Sequence, residues 1–459
     1  MRIRKGSIRA RVKGDLPIVF TKEKLSAYGG LEVFRRFADR SGFTERLREV
    51  FAIRRFDSDY GAFRITLALI GMLLLGGTRL RHLPLLERDP LFLRFARLQK
   101  LPCERTVSRS LKETTVAVQD RMSELLRHLA YDTAREAGLS RLTLDLDGSV
   151  LRTGLCAEGA ERGFNPHHPK DKSYYPLTAH LAQTGQVLAV RNRPGNVHDS
   201  EGALELLSFL VEDVRSELGP RSLEARLDGA FFRREILEYL EGSGVEYGIK
   251  APLWDWLGIR AVIGNKRRRW KRIRPDLQGF VTKLRIPKWG LSLRVAVYRK
   301  HVSHRTRKNF QLDLFDPSDG HYEYSAVATN KRVRMGALWN FMAGRGGHEK
   351  TLGELKQHLA FDTIPTQDWD ANTTWLLISG LTHNLVRQFQ LSTGAAPRVN
   401  GAKRTFRWVF ESLRTLRYEL LNIPAKIASP EGRTELRLAA APATQRRITR
   451  ILAALPEAA

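Results

Sequence analysis

The sequence predicts an α/β fold: a mixed-sheet core, interrupted by a β-rich insertion and preceded by a helical region. Three observations predict it. Near residue 141 the spacing of apolar residues switches from three- and four-residue steps to alternation. From there to residue 250 the segments run three strands, helix, strand, helix, strand, the order of an α/β core with a mixed sheet. After further strand-like alternation, helical spacing returns at about 334 and lasts to about 390.

Residues 1–140 carry the helical period, through Leu31, Val33, Phe34 and Phe37 and again through Met122, Leu125, Leu126 and Leu129. The apolar stretch 65–75 reads as a buried helix. Pro102 ends one segment, and a short helix follows with Arg105, Thr106, Ser108, Arg109 and Ser110 mostly on its polar side. That suits the second helix of a helix-turn-helix over about 92–130, whose polar side chains would reach base edges and phosphates. Any basic surface helix has the same look, and that alternative stays open.

The first core segment, 141–250, opens with Leu142, Leu144 and Leu146 alternating with Thr143, Asp145 and Asp147, as in a half-buried strand. Strands at 174–183 and 186–193 flank Thr184-Gly185, a tight turn. A helix should then run to about Leu218, with Asp199 or Ser200 as its N-cap. A strand at 223–228, a helix at 232–241 and a strand at 245–249 complete the segment. Residues 251–330 form the β-rich insertion. It holds the densest cationic run, Lys266, Arg267, Arg268, Arg269, Trp270, Lys271 and Arg272, followed by strands at 280–286, 291–298 and 322–328. The core resumes at 331–395 with a helix carrying Glu349. The last part, 396–459, reads as a basic, Ala/Leu-rich helical tail punctuated by Pro424, Pro430 and Pro442.

Charge bounds the function. Lys and Arg number 77 against 49 Asp and Glu, a net charge of +28. Such an excess repels itself in a compact state and points to a polyanionic partner. DNA or RNA leads, because each cation placed on a phosphate releases a condensed counterion; a membrane surface or a ribosome is the alternative. The helical region 1–140 is the expected DNA-binding part. Cys103 and Cys156, the only cysteines, stand in no ligand-like spacing and cannot form a disulfide scaffold or a structural zinc site. The first residues lack the apolar stretch of a signal peptide, and the longest apolar run, 67–75, is too short to span a bilayer. The expectation is a soluble, cytoplasmic protein.

A few acids stand out in this basic chain. Asp147 ends the first core strand, with Asp145 two residues earlier on the same face. Asp228 ends a later strand just before Gly229. Glu349 lies on a helix with Lys356 seven positions on, two turns away on the same face. Each has an ordinary reading as a turn cap or a solvated charge. Converging from different elements, three carboxylates can instead hold divalent ions for phosphoryl chemistry.

Four segments carry a family resemblance. Residues 144–149, Leu-Asp-Leu-Asp-Gly-Ser, resemble the strand of the first catalytic Asp in DDE-type bacterial insertion-sequence transposases. Residues 193–200 resemble their Pro-Gly-Asn-x-His segment, and residues 226–231 the second-Asp motif. Residues 345–356 resemble the signature Tyr-x2-Arg-x3-Glu-x6-Lys. The branch it most resembles is the one numbered thirteen-eighty. Met342 stands at the signature Tyr position, and Gly229-Ala230 replaces the more usual Ser-Gly. The similarity covers about 140–390.

The resemblance implies an RNase-H-like core and DNA cleavage followed by strand transfer. Asp147, Asp228 and Glu349 would be the catalytic triad, holding two Mg²⁺ ions for which Mn²⁺ can substitute. Arg345 and Lys356 would hold phosphates, and the run 266–274 would track DNA backbone, with Arg105 and Arg109 as further contacts. An insertion tryptophan, Trp254, Trp256, Trp270 or Trp289, would stack a flipped base. Asp145 stays open as an alternative to Asp147, and His198 as a neighbour of the site. Expected partners are double-stranded terminal inverted repeats, target DNA and a second copy on DNA, at the nucleoid. The competing readings are a nuclease on the same core without strand transfer and an inactive, transposase-derived DNA-binding protein.

Overall fold

The structure, a computed structural model of the 459-residue chain, describes residues 18–53, 60–163, 170–265, 267, 269–301, 322–398 and 407–455. Its centre is a nine-stranded mixed sheet. In chain order the strands are β1 (Arg141–Gly148), β2 (Leu177–Leu181), β3 (Gln186–Arg191), β4 (Ser222–Leu227), β5 (Glu246–Ala251), β6 (Lys271–Arg274), β7 (Leu277–Ile286), β8 (Leu291–His301) and β9 (Tyr322–Thr329). Across the sheet the order is β6-β7-β8-β9-β5-β4-β1-β2-β3. β1, β4 and β5 are parallel, and the other neighbours are antiparallel. The five strands from β3 to β5 reproduce the expected core, with α7 (Ala203–Leu218) and α8 (Arg234–Gly242) in the two crossovers.

Alternation along β1 sorts its side chains between the faces. Leu142, Leu144 and Leu146 pack with Leu207, Leu210 and Val211 of α7 and Leu237 of α8. The opposite face is polar where it approaches the strand ends: Asp145, Asp147, Thr178 and His180 occupy it. Toward β3 that face becomes apolar again. Val187 and Val190 join α6 (Val116–Glu136) and α11 (Trp369–Ser392) in a second core. Asn384 of α11 ties these layers by donating to the carbonyls of Leu126 (2.9 Å) and Val187 (2.7 Å) while accepting from Val187 N (2.8 Å).

That second core corrects the boundary expected at residue 140. Helices α1 (Gly30–Arg40), α2 (Phe43–Phe51) and α3 (Ala62–Leu75) share it with α6, α11 and α10 (Gly346–Leu359). Phe34 and Phe37 meet Phe389 of α11 at ring distances of 5.0 and 5.2 Å. The N-terminal helices therefore need the C-terminal helices to bury their apolar faces. Residues 65–74 are buried as expected, and Leu75 is partly so. Among the described residues no single helix is long and apolar enough to cross a membrane.

Four local expectations also change. The insertion strands are not set apart: β9 pairs with β5, so β6 to β9 extend the core sheet. The strand expected at 174–183 is broken at Tyr175-Pro176. Lys172–Tyr174 pairs instead in a small sheet with Leu151–Thr153 and Glu161–Arg162, since Pro176 has no N–H to continue the ladder. The N-cap of α7 is Gly202, at φ 68°, because Asp199 and Ser200 are engaged elsewhere. The tail is only partly helical. Ala425–Ala428 pairs with Glu435–Leu438 and with Leu25–Ser26, a two-residue alternation that the Ala/Leu richness hid. Pro442 does open a helix, Pro442–Ala454.

In the region of the expected helix-turn-helix, α4 (Pro90–Ala96), α5 (Glu104–Lys112) and α6 follow one another. Arg105 and Arg109 of α5 are exposed; Ser110, expected on the polar side, is buried with Val107 and Leu111.

Candidate active site

Parallel pairing sets the level of the two aspartates. Asp145 is the register partner of Arg226, so Asp147 and Asp228, two residues on in each chain direction, emerge side by side at the carboxyl edge of the sheet. Asp228 caps the short turn Gly229–Phe231 through the Gly229 N–H. Gly148 lets β1 end there: a Cβ would lie 2.5 Å from Asp199 Oδ1 and 2.8 Å from Tyr175 Cζ. Tyr175 donates its hydroxyl proton to Asp199. Arg193 fastens the loop that follows, donating to the carbonyls of Tyr175, His198, Asp199 and Glu201. The Pro-Gly-Asn-x-His segment thus has a structural reason: it holds Asp199 against Gly148.

Helix α10 brings the remaining groups. Arg345, at its N-cap, bridges the aspartates, with Nη2 2.9 Å from Asp147 Oδ2 and Nη1 2.9 Å from Asp228 Oδ2. Glu349, in the first turn, lines a cleft of about 480 Å³ together with Asp228, Arg345, Lys250, Trp339 and Met342. Lys356 Nζ reaches the carbonyl of Val150, 3.2 Å away, just past β1. The thioether at Met342, where the signature has Tyr, packs against Gly248, whose Cβ would lie 2.7 Å from Sδ.

The electrostatics are strained by proximity. Burial pushes the Asp147 carboxyl up to about 7; Arg345 opposes this, while the charges of Asp228, Asp199 and Glu349 reinforce it. Burial lowers the Lys356 ammonium, with Asp362 and Asp147 opposing. Burial, helped by Arg345 and Arg226, pushes His348 down to about 3, so its ring is neutral.

Beside Asp228 opens an aromatic hollow of about 1000 Å³. Trp254 and Trp256 stack at 5.6 Å and 22°, and Trp256 meets Trp289 at 5.3 Å. Trp254 and Trp256 are 40% and 47% exposed, unusual for indoles. Arg233 and Arg260 rim the hollow.

The match to known families decides what this edge belongs to. The model for the transposase DDE domain group 1 matches residues 10–261 and 316–459, and the model for the transposase DDE domain matches 138–385. The chain belongs to the DDE transposases. Among solved structures this transposase is similar to the piggyBac transposase in its synaptic complex with hairpin DNA, seen by cryo-EM. Identity is 13%, the match covers 86% of this chain and 80% of that one, and the TM-score is 0.39. No curated protein sequence matches the chain.

The transposase gathers Asp147, Asp228, Glu349, Arg345 and Lys356 at one edge. Among the described residues, no three carboxylate, histidine or cysteine side chains stand close enough to hold one ion as they are, and the Arg345 guanidinium lies between the two aspartates. Asp145 is not free to join them. It is 1% exposed and forms a two-pronged pair with Arg226 at 2.7 and 2.6 Å, while Arg226 also donates to Phe341 O. His198 is exposed, bonds Ser200 and faces Arg233 at the rim.

The cationic run lies at the far edge of the sheet, away from the aspartates. Lys266 and Arg268 fall outside the described residues. Arg267, Arg269, Lys271 and Arg272 are exposed, the last two on edge strand β6. Trp270 is packed against Phe280 at 4.8 Å and under the Arg299 guanidinium at 4.4 Å, a core role. Sequence reasoning missed His348, His180 and the Tyr175–Asp199 pair. For His348 a signal existed: it shares the buried helical face with Thr351, Leu352 and Leu355.

Proposed function

We propose that this transposase cuts DNA at transposon ends and joins the freed 3′ ends to a target, as an insertion-sequence enzyme of the branch numbered thirteen-eighty. One observation carries the reading: two strand-end aspartates share one partly buried guanidinium beside a helix-borne glutamate. Clustered carboxylates need cations, and Arg345 stands where cations would sit. The donor set of Asp147, Asp228 and Glu349 is all hard oxygen, which suits Mg²⁺ or Mn²⁺. Asp147, Asp228 and Glu349 would hold such ions once the guanidinium withdraws. When bound, Mg²⁺ supplies Lewis acidity to the scissile phosphodiester.

The chain's own groups position the DNA. Arg345 exchanges its carboxylates for a phosphate, to which its planar fork can donate twice; its Nε has no partner among the described residues. Lys356, held at Val150 O, neutralises charge on the same strand. Water attack on phosphorus breaks the P–O3′ bond and leaves a 3′-hydroxyl. That hydroxyl then attacks a second phosphodiester in the opposite strand or the target, releasing another 3′-hydroxyl. Trp254, Trp256 and Trp289 receive an unstacked base next to Asp228, since every base offers a π-face. Arg105 and Arg109 on α5 and the cations around β6 follow backbone phosphates, tying the terminal repeats to the protein in a homodimer.

The test is incubation with Mg²⁺ and DNA carrying the flanking terminal repeats, resolving nicked, hairpin and joined products. Joined products are expected; simple cuts alone would assign a nuclease. Asp228→Asn should abolish cleavage and leave end binding largely intact. Retained cleavage removes Asp228 from the triad.

A further inference from the structure

Beneath the carboxylates lie two histidines that the proposed chemistry does not use. His180 and His348 are 1% and 3% exposed. Their rings stand perpendicular, with centroids 4.1 Å apart. None of their four ring nitrogens has a hydrogen-bond partner among the described residues. Buried polar atoms in native proteins are almost always paired, so an unpaired cluster needs a reason. An apolar side chain would fill either slot without that cost.

The geometry supplies the reason. His348 Nε2 lies 3.8 Å from Asp147 Oδ2, the same oxygen that Arg345 holds at 2.9 Å. His348 precedes Glu349 on α10, so its ring is fixed by the helix that presents the third acid. His180 is the register partner of Asp145 on β2 and stands edge-on against the His348 ring. Should Arg345 leave for a phosphate, Asp147 Oδ2 loses its donor. The His348 ring then needs to close by only about 1 Å to reach ordinary hydrogen-bond length.

We propose that His348 is a positioning residue: its Nε2–H takes over Asp147 Oδ2 when Arg345 turns to DNA, fixing that carboxylate for the ion, with His180 holding the His348 ring. This rests on the reading of Asp147 as a metal-binding carboxylate. Outer partners of this kind orient ligands, and losing one typically costs about 10–100-fold in metal affinity or activity.

The probe is Mn²⁺ itself, titrated by electron paramagnetic resonance into the full-length protein bound to pre-cleaved terminal-repeat DNA, so that no turnover intervenes. H348L and H348M remove the donor with different packing; H348Q keeps a donor at similar reach. Both donor-free variants should bind Mn²⁺ about tenfold more weakly or worse. They should also lower kcat for cleavage with KM for DNA unchanged, and melt no lower than the wild type. H348Q should recover most of both losses. Wild-type Mn²⁺ affinity in H348L and H348M overturns the proposal. So does an H348Q variant as impaired as they are, with all three melting lower, because that marks a purely structural role. Failure of the function reading looks different: wild-type protein would then show no Mn²⁺ binding that Asp147→Asn abolishes.

Discussion

Replacing Asp147 by Asn should stabilise the metal-free protein, and only above acidic pH. The Asp147 carboxyl sits at about 7 against an ordinary 3.8, chiefly because burial disfavours its charge. The folded state therefore prefers the protonated form. The stability this confers is complete below pH 4, is lost as pH rises toward 7, and is gone above it. At about 1.4 kcal/mol per pH unit the full loss is roughly 4 kcal/mol. The side chain keeps 23% exposure, and Arg345 loses half of its carboxylate pairing in the variant. Solvent screening and that lost pair reduce the net gain to about 2 kcal/mol. Calorimetric melts in EDTA from pH 4.5 to 8.5 should show the two proteins nearly level at the acid end. The variant should melt a few degrees higher at pH 8. Adding Mg²⁺ should reverse the order, since only the wild type gains from binding in the folded state. A gap equal at pH 5 and pH 8, or a variant less stable at pH 8, refutes the reasoning.

Two further outcomes test the site. Arg345→Ala should raise Mn²⁺ affinity in the absence of DNA, because the competing guanidinium is gone, yet abolish end cleavage; calorimetric titration checks the first, and a fall in affinity would show that Arg345 is not standing in for a cation. Trp256→Ala should slow cleavage by about fivefold to a hundredfold, the range of one base–aromatic stack, while leaving end binding little changed in a gel shift; cleavage at the wild-type rate would make the stacked indoles a packing feature.

The core was legible where side-chain period and burial coincide. Leu142, Leu144 and Leu146 announce β1 because one face meets α7 and α8. The same alternation reveals β7, β8 and β9. What the period cannot reveal is which strand pairs with which, so the extension of the core sheet beyond β5 was hidden. Pairing also separates the two acids of β1. Asp145 and Asp147 share a face and a composition, but only Asp145 has an arginine opposite it in register. The dependence of α1 to α3 on α10 and α11 is a contact across the whole chain, invisible to any local window. The short hairpin near the C-terminus was masked by residues that favour helices.

Why should a chain with so many spare cations leave its acids so poorly neutralised? Asp228, Asp199 and Glu349 all bear on Asp147, and Arg345 and Lys356 answer it from within. Two like charges 4 Å apart cost about 4 kcal/mol at an effective dielectric near 20. Burial does most to raise the Asp147 carboxyl to about 7, and these like charges add to it. On the proposed reading DNA would sharpen the conflict: a phosphate would compete for Arg345 and add negative charge, so the demand for divalent cations would grow as the substrate arrives. DNA and metal would then favour each other's binding, as any two ligands must when each relieves what the other requires. Arg345, His348, Glu349 and Lys356 all ride on one helix. Its buried face, which His348 shares with Leu352, Leu355 and Leu359, lies against the same core as α11. On the proposed reading, the charges at this edge would be exchanged by side chains carried on one packed helix.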